Sequence, residues 1–222
     1  KLTRKIEQIL PDDLFLQTSA TEFSNLLTNY TMGHYDYSGK NNIIGQLIKA
    51  ITKKRKCLVN YDSPKREKEN KFYIEPEKLL TYNGGLYVIF YVRNQKEFWL
   101  LAVHRILDLE VHDEVFPDDH PFDEKDFVKN RFGLFSGKPE KIRLKFDKSI
   151  RHYIEHKHWN SSQKFKSDTK GNLILDMDAP ITPELTAWIL GWNKNVKVLK
   201  PKKLTNDIKD LIISMKKQYK MK

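Results

Sequence analysis

The residues of this 222-residue chain that come nearest to a catalytic signature are His152, Glu155 and His156, spaced as H-x-x-E-H. On a helix that spacing sets two imidazoles one turn apart, where they could hold zinc with Glu155 as general base, as in a metal-dependent hydrolase. No convincing third ligand follows. Ile150, Tyr153 and Ile154 also define an apolar helix face that leaves both histidines to its side. A second set is basic and aromatic: Tyr61, Ser63, Lys71, Tyr73, Tyr87, Tyr91, His104 and Arg105. Rings can stack on bases and cations can clasp phosphate, so these residues could form a shallow nucleic-acid or nucleotide site. The plainer reading of tyrosines at alternate strand positions is core and girdle. The acidic run from Asp118 to Asp126 lacks the spacing of an EF-hand loop and is interrupted by Pro117 and Pro121, so it reads as a solvated linker. No glycine loop leads into a helix to cradle phosphate, and no Ser/His/Asp set stands out from spacing. The expectation is no enzyme activity, no catalytic residue, no bound metal and no cofactor.

The elements that would position these residues follow from hydrophobic period. Ile43, Leu47, Ile48 and Ile51 recur at helical spacing, with cations gathering toward the C-terminal end where the helix dipole favours them. Five strand-like runs follow, KCLVNY, KFYIEPEKLLTY, LYVIFYV, EFWLLAVH and ILDLEVH, separated by turn chemistry. They are rich in β-branched and aromatic residues. One helix and five short antiparallel strands predict a small β-barrel, closed to protect its edges. Residues 117–138, with prolines, acids and glycines, predict a linker.

Beyond it the rhythm changes. EKIRLKF alternates as a strand, Asp147 is placed to cap a helix, and SQKFKSD and NLILDMD flank a turn. Thr182 is set to cap a further helix, with Pro183 at its first position and Gly191 at its end. NVKVLK gives a last strand, and Ile208, Leu211, Ile212 and Met215 at helical spacing give a last helix. The order βαββαβ plus a helix is that of a ferredoxin-like domain, so the fold class is α+β. Residues 1–10 read as the end of a helix stopped before Pro11, and a polar linker follows. The first residue is Lys1, which suggests a piece of a longer protein. The domain plan is 1–41 as a linker and helical segment, 42–116 as the barrel with its leading helix, 117–138 as a linker and 139–222 as the ferredoxin-like domain.

Composition narrows the class. Forty Lys and Arg against 29 Asp and Glu give a net charge of +11, which attracts polyanions. Lysine is nevertheless spread along the whole chain. With 39% hydrophobic and 31% charged residues, a folded core under a well-solvated surface is expected. No apolar run approaches the roughly 18 to 20 residues that cross a bilayer. A single cysteine, Cys57, excludes an intramolecular disulfide and a cysteine-based zinc site and reads as a small core residue. A soluble cytoplasmic protein is expected.

Set in order, these pieces resemble a known family, the bacterial WYL-domain transcriptional regulators with their C-terminal extension. LIKAITKKRKCLVNYDS is similar to the leading helix and first strand, FYIEPEKLLTYNGGLYVIFYV to the strand pair with the naming tripeptide, and LAVHRILDLEV to the strand that carries an arginine. The linker FPDDHPFDEKDFVKNRFGLFSG and the later HKHWNSSQ, GNLILDMD and ELTAWILGWNKNVKVLKP fit as well. The resemblance implies an Sm-like, SH3-type barrel followed by a ferredoxin-like extension. It also implies an N-terminal winged helix-turn-helix, outside this sequence, that binds DNA. Such proteins are usually homodimeric repressors or activators, several of them tied to phage defence or DNA damage, and the barrel is thought to sense a nucleic-acid-like or nucleotide ligand. Carried over position by position, the site residues are Tyr61, Ser63, Lys71, Tyr87 and Arg105, with Tyr91 and His104 beside them. Leu86 stands where tryptophan is usual and Val88 where leucine is usual. Leu100 and Ala102 replace charged residues, and His104 replaces an aspartate, adding a pH-sensitive donor. The alternatives are a stand-alone module for single-stranded nucleic acid and, from another class, the hydrolase built on His152 and His156.

Overall fold

Apolar residues at helical period seat the first helix on a sheet. The computed structural model describes residues 32–63 and 70–220. Helix α1 (Asn41–Lys53) buries Ile43, Leu47 and Ala50, and Lys54, at φ 50°, ends it in the left-handed conformation that turns the chain into β1 (Arg55–Tyr61). Strands β2 (Asn70–Tyr82), β3 (Gly85–Val92), β4 (Glu97–Ala102) and β5 (Ile106–Val115) complete an antiparallel sheet of order β4-β3-β2-β1-β5. β2 is shared: residues 70–74 pair with β1 and residues 75–82 with β3, with a register shift between Pro76 and Lys78. Proline has no N–H for the ladder, and an irregularity at this changeover is where an interior strand can accept one.

The expected closure is not found. Among the described residues β4 and β5 stay unpaired with each other, so the sheet is open. A single 3-10 turn, Val103–Arg105, joins them and puts Val103 into the core. α1 lies on β1 and β5, and its Leu47 and Ala50 share that core with Cys57, Val59 and Ile106. Cys57 is fully buried, which pushes its thiol up to about 12.

The segment expected as a linker has structure of its own. Asp123 caps α2 (Glu124–Lys129) by accepting from the N–H groups of Lys125 and Asp126, and β6 (Arg131–Phe132) and β7 (Phe135–Ser136) form a short hairpin.

The second sheet is built from β8 (Pro139–Phe146), β9 (Lys164–Ser167), β10 (Leu173–Pro180) and β11 (Val196–Lys200) in the order β11-β8-β10-β9, antiparallel throughout. One face is apolar: Ile142, Leu144, Phe146, Leu173 and Leu175 pack against helices α3 (Arg151–Glu155), α4 (Pro183–Gly191) and α5 (Lys202–Gln218) through Ile154, Leu185, Ile189 and Leu204. Thr182 caps α4, its hydroxyl accepting from Leu185 N–H at 3.1 Å, with Pro183 next as expected.

One expectation needs correction here. Asp147 caps a 3-10 turn, Lys148–Ile150, and α3 that follows is only five residues long, with Tyr153 66% exposed. In α5, Leu204 is buried and Ile208 partly so, but Leu211, Ile212 and Met215 are 41%, 52% and 48% exposed. Only the first turns of the helix are covered. The helix end and most of the polar linker expected over residues 1–41, and most of the turn between β1 and β2, lie outside the described residues.

Candidate ligand-binding site

β1 to β4 place aromatic rings around one cleft of about 660 Å³. Tyr61 and Ser63 come from the end of β1, Phe72 and Tyr73 from β2, Tyr91 from β3 and Trp99 from β4, with the cations Lys56 and Arg93 at its margin. The antiparallel register makes this grouping possible, since Phe90 is opposite Trp99 and Tyr91 opposite Phe98.

Tyr61 sits at the junction of β1 with the 3-10 turn. Its hydroxyl accepts from Ala102 N–H at 3.3 Å, its ring meets Phe72 edge-on, and the Arg105 guanidinium lies over that ring at 5.4 Å from the centroid. Asp62 N–H donates to the Arg105 carbonyl at 2.9 Å, which ties the strand end to the turn. Burial raises the Tyr61 pKa, against the opposing effects of the Ala102 hydrogen bond and the Arg105 charge. The phenol is therefore neutral near pH 7, and the pair offers a ring face beside a planar cation. Chemically, a ring of this kind can pack on a base or sugar and a guanidinium can pair with a phosphate or carboxylate.

The remaining expected residues are divided. Tyr91 lines the cleft, but its second face is taken by His120, stacked at 3.6 Å and 14°. Tyr87 and His104 belong to another group, in which Tyr35 stacks on His104 and Tyr37 accepts from Leu86 N–H at 2.6 Å. The Tyr87 ring lies close against Gly85, where an added Cβ would come within 2.8 Å of it. Burial, followed by repulsion from Arg105 and Lys40, lowers the His104 pKa. Lys71 is exposed on β2 opposite Asn60. Tyr61, Ser63 and Tyr91 thus meet in one place, Arg105 joins them through Tyr61, and Tyr87, His104 and Lys71 do not line that cleft.

Sequence reasoning missed Phe72, Trp99, Lys56, Arg93 and His120. Strand parity relative to Tyr91 points to Phe98 and away from Trp99, which is opposite Phe90; RNQK reads only as a turn and His120 only as part of a solvated acidic run. Arg93 instead binds Glu75 at 2.7 Å and Asp119 at 3.2 Å, and these two partners raise its pKa. Lys56 is paired with Glu114. The imidazole of His120 is 3.5 Å from Glu77, whose pKa is raised chiefly by burial. Much of the cleft's rim charge is therefore already engaged, which leaves Arg105 as the cation tied directly to its aromatic wall.

The ligating atoms of His152, Glu155 and His156 lie within 4.8 Å of one another. The three could chelate a metal ion, but Arg151 holds Glu155 at 2.6 Å and keeps its carboxyl below the usual range, which removes a free base. The two imidazoles are 83% and 74% exposed on the short α3.

Residues 42–111 match the WYL domain family and residues 138–215 match the WCX domain family. Among solved structures, the chain is similar to proteasome accessory factor B/C (PafBC) of Arthrobacter aurescens, at 16% identity and a TM-score of 0.37, over 85% of this chain and 29% of that one. A second neighbour, described as a CRISPR Cas-related protein, has 12% identity and a TM-score of 0.51, over 80% of this chain and 51% of that one. The chain thus spans 29% and 51% of the length of these two proteins. No curated protein matches it.

Proposed function

The chain belongs to the family of WYL-domain proteins, with a WCX domain behind the WYL domain, and from that premise we propose that it is the effector-sensing region of a DNA-binding transcriptional regulator. The effector is nucleic-acid-like or a nucleotide, held in the cleft with a base on the rings of Tyr61 or Trp99 and a phosphate at Arg105. One observation carries this reading: Tyr61 lines an aromatic cleft of about 660 Å³, and the Arg105 guanidinium, outside that lining, lies 5.4 Å over the Tyr61 ring. Stacking on such rings is worth about 1–3 kcal/mol per base, and the cation adds phosphate affinity.

Residues 42–116 are read as an Sm-like domain and 139–222 as a ferredoxin-like one. The order β4-β3-β2-β1-β5 supports the first, and β10 lying between β8 and β9 supports the second. The protein acts in the cytoplasm as a homodimer without catalysis, and operator DNA is held by a winged helix-turn-helix outside this sequence. Ligand in the cleft then biases two dimer arrangements that differ in operator affinity. No described helix is long and apolar enough to cross a membrane.

The test is anisotropy of a labelled pentanucleotide and of labelled mononucleotides with wild type and Arg105→Ala. The expected result is binding that weakens at least about tenfold in the variant, equivalent to about 1.4 kcal/mol. Equal binding by both proteins removes the site.

A further inference from the structure

The face of the second sheet turned away from its helices is built on a different principle from the apolar face. In β8 the residues between the buried Ile142, Leu144 and Phe146 are Lys141, Arg143 and Lys145. The register carries that parity across all four strands. Lys145 is opposite Lys197 on one side and Ile174 on the other, and Ile174 is opposite Lys166. The next row runs Lys200, Arg143, Asp176, Lys164. Lys141, opposite Asp178, begins a third. Seven cations therefore share this face with two carboxylates, and one of those, Asp176, is held by Arg143 at 2.5 Å.

Two features set this face apart from an ordinary solvated one. Like charges directly opposite one another on neighbouring strands destabilise a sheet, yet Lys197 faces Lys145 and Lys200 faces Arg143. Local arrangements that oppose stability are characteristic of binding surfaces. A shallow cleft of about 260 Å³ also lies on this face, lined by the cations Lys141, Arg143, Lys164 and Lys200 and by the two carboxylates Asp176 and Asp178. Neighbouring strands lie about 4.8 Å apart and alternate residues about 7 Å apart, so the charges form a two-dimensional grid about 14 Å across. A flexible single strand can follow such a grid, placing successive phosphates on the exposed lysines of its rows. A rigid duplex meets a surface of this kind along a narrower line.

We propose that this open sheet face is a second, sequence-independent docking surface for the phosphodiester backbone of a single-stranded nucleic acid. It carries no aromatic side chain, so it contributes charge and no base stacking. It is separate from the aromatic cleft of the first sheet and does not depend on the function assigned there.

The test is the salt dependence of binding to a labelled single strand of about twenty nucleotides, with a duplex of the same length as a second arm. Each phosphate contact to a single strand contributes about −0.7 to the slope of log K against log salt. Lys141→Ala/Lys164→Ala/Lys166→Ala removes three exposed cations from the face and should reduce the slope by about 2, weakening binding at least tenfold near 0.1 M salt. The matching Lys→Arg variant should bind as wild type, which separates lost charge from lost folding. A control, Lys209→Ala/Lys216→Ala/Lys217→Ala on the exposed part of α5, removes the same net charge elsewhere and should leave the slope nearly unchanged. The proposal is overturned if the sheet variant binds as wild type, if the α5 control loses as much as the sheet variant, or if duplex binds more tightly than single strand. Loss in the sheet variant alone, with single strand preferred, supports it. Arg105→Ala reports on the cleft independently.

Discussion

The ring of Tyr35 lies flat over His104, with centroids 3.8 Å apart and planes 11° from parallel. The contact, with the bond from Tyr35 N–H to the Gly84 carbonyl at 3.4 Å, fastens the segment before α1 across the end of the first sheet. The place His104 occupies also disfavours its charged form. Burial first, then the charges of Arg105 and Lys40, lower its pKa, so the folded state favours the neutral ring. An unfolded histidine titrates near 6.5. The stability tied to neutral His104 is therefore complete above about pH 6.5 and is lost as pH falls toward the lowered folded value. Melting curves taken between about pH 7.5 and 5 should show wild type losing more of its Tm on acidification than His104→Gln. Parallel losses would contradict this.

Gly133 and Glu184 form a joint between the hairpin and the second unit. Gly133 has φ +71°, and a Cβ there would sit 1.8 Å from Glu184 Oε2, the oxygen that accepts from Leu134 N–H. Gly133→Ala should cost about 2–4 kcal/mol, from left-handed strain and the displaced carboxylate. In a Glu184→Ala background the same change should cost only the strain, about 1–2 kcal/mol. Urea unfolding of the four proteins gives both numbers, and strict additivity would contradict the clash.

Thr182 is buried and its hydroxyl accepts from Leu185 N–H, the cap that starts α4. Thr182→Ala should lower stability by about 1 kcal/mol in urea unfolding, and Thr182→Ser should recover most of it. Equal losses in both variants would assign the effect to the lost methyl group.

Trp99 is the one tryptophan of the first sheet. It lines the cleft and is 43% exposed, whereas Trp159, Trp188 and Trp192 pack on one another in the second core. A short nucleotide ligand stacking in the cleft should quench tryptophan fluorescence, and Trp99→Phe should abolish the change while anisotropy still reports binding. Quenching that persists in Trp99→Phe would place the ligand elsewhere.

Much of this architecture was legible in the chain. The β1 and β3 runs alternate or persist in apolar residues over lengths only a strand accommodates, and Thr182-Pro183 at the start of α4 is a local signal that needs no tertiary context. Sheet closure was not legible, because whether β4 pairs with β5 is a tertiary matter that neither strand's own pattern carries. The last helix was legible from its spacing, but that spacing does not say which turns are covered, and Leu211, Ile212 and Met215 are exposed. Within the site, Tyr61, Ser63 and Tyr91 converge on one cleft, while Tyr87 and His104 are drawn off by Tyr35 and Tyr37. Arg93 shows the limit of reading residue type alone, since Glu75 and Asp119 already hold its charge.

The central claim is that Tyr61 and Arg105 act together on a nucleic-acid-like ligand, and a double-mutant cycle on these two residues tests it most directly. Binding of a labelled pentanucleotide is measured for wild type, Tyr61→Ala, Arg105→Ala and the double variant. Each single change should weaken binding at least about tenfold. The double variant should be little weaker than either single one, because the ring and the guanidinium hold one ligand between them. Unchanged affinity in both single variants would contradict the account.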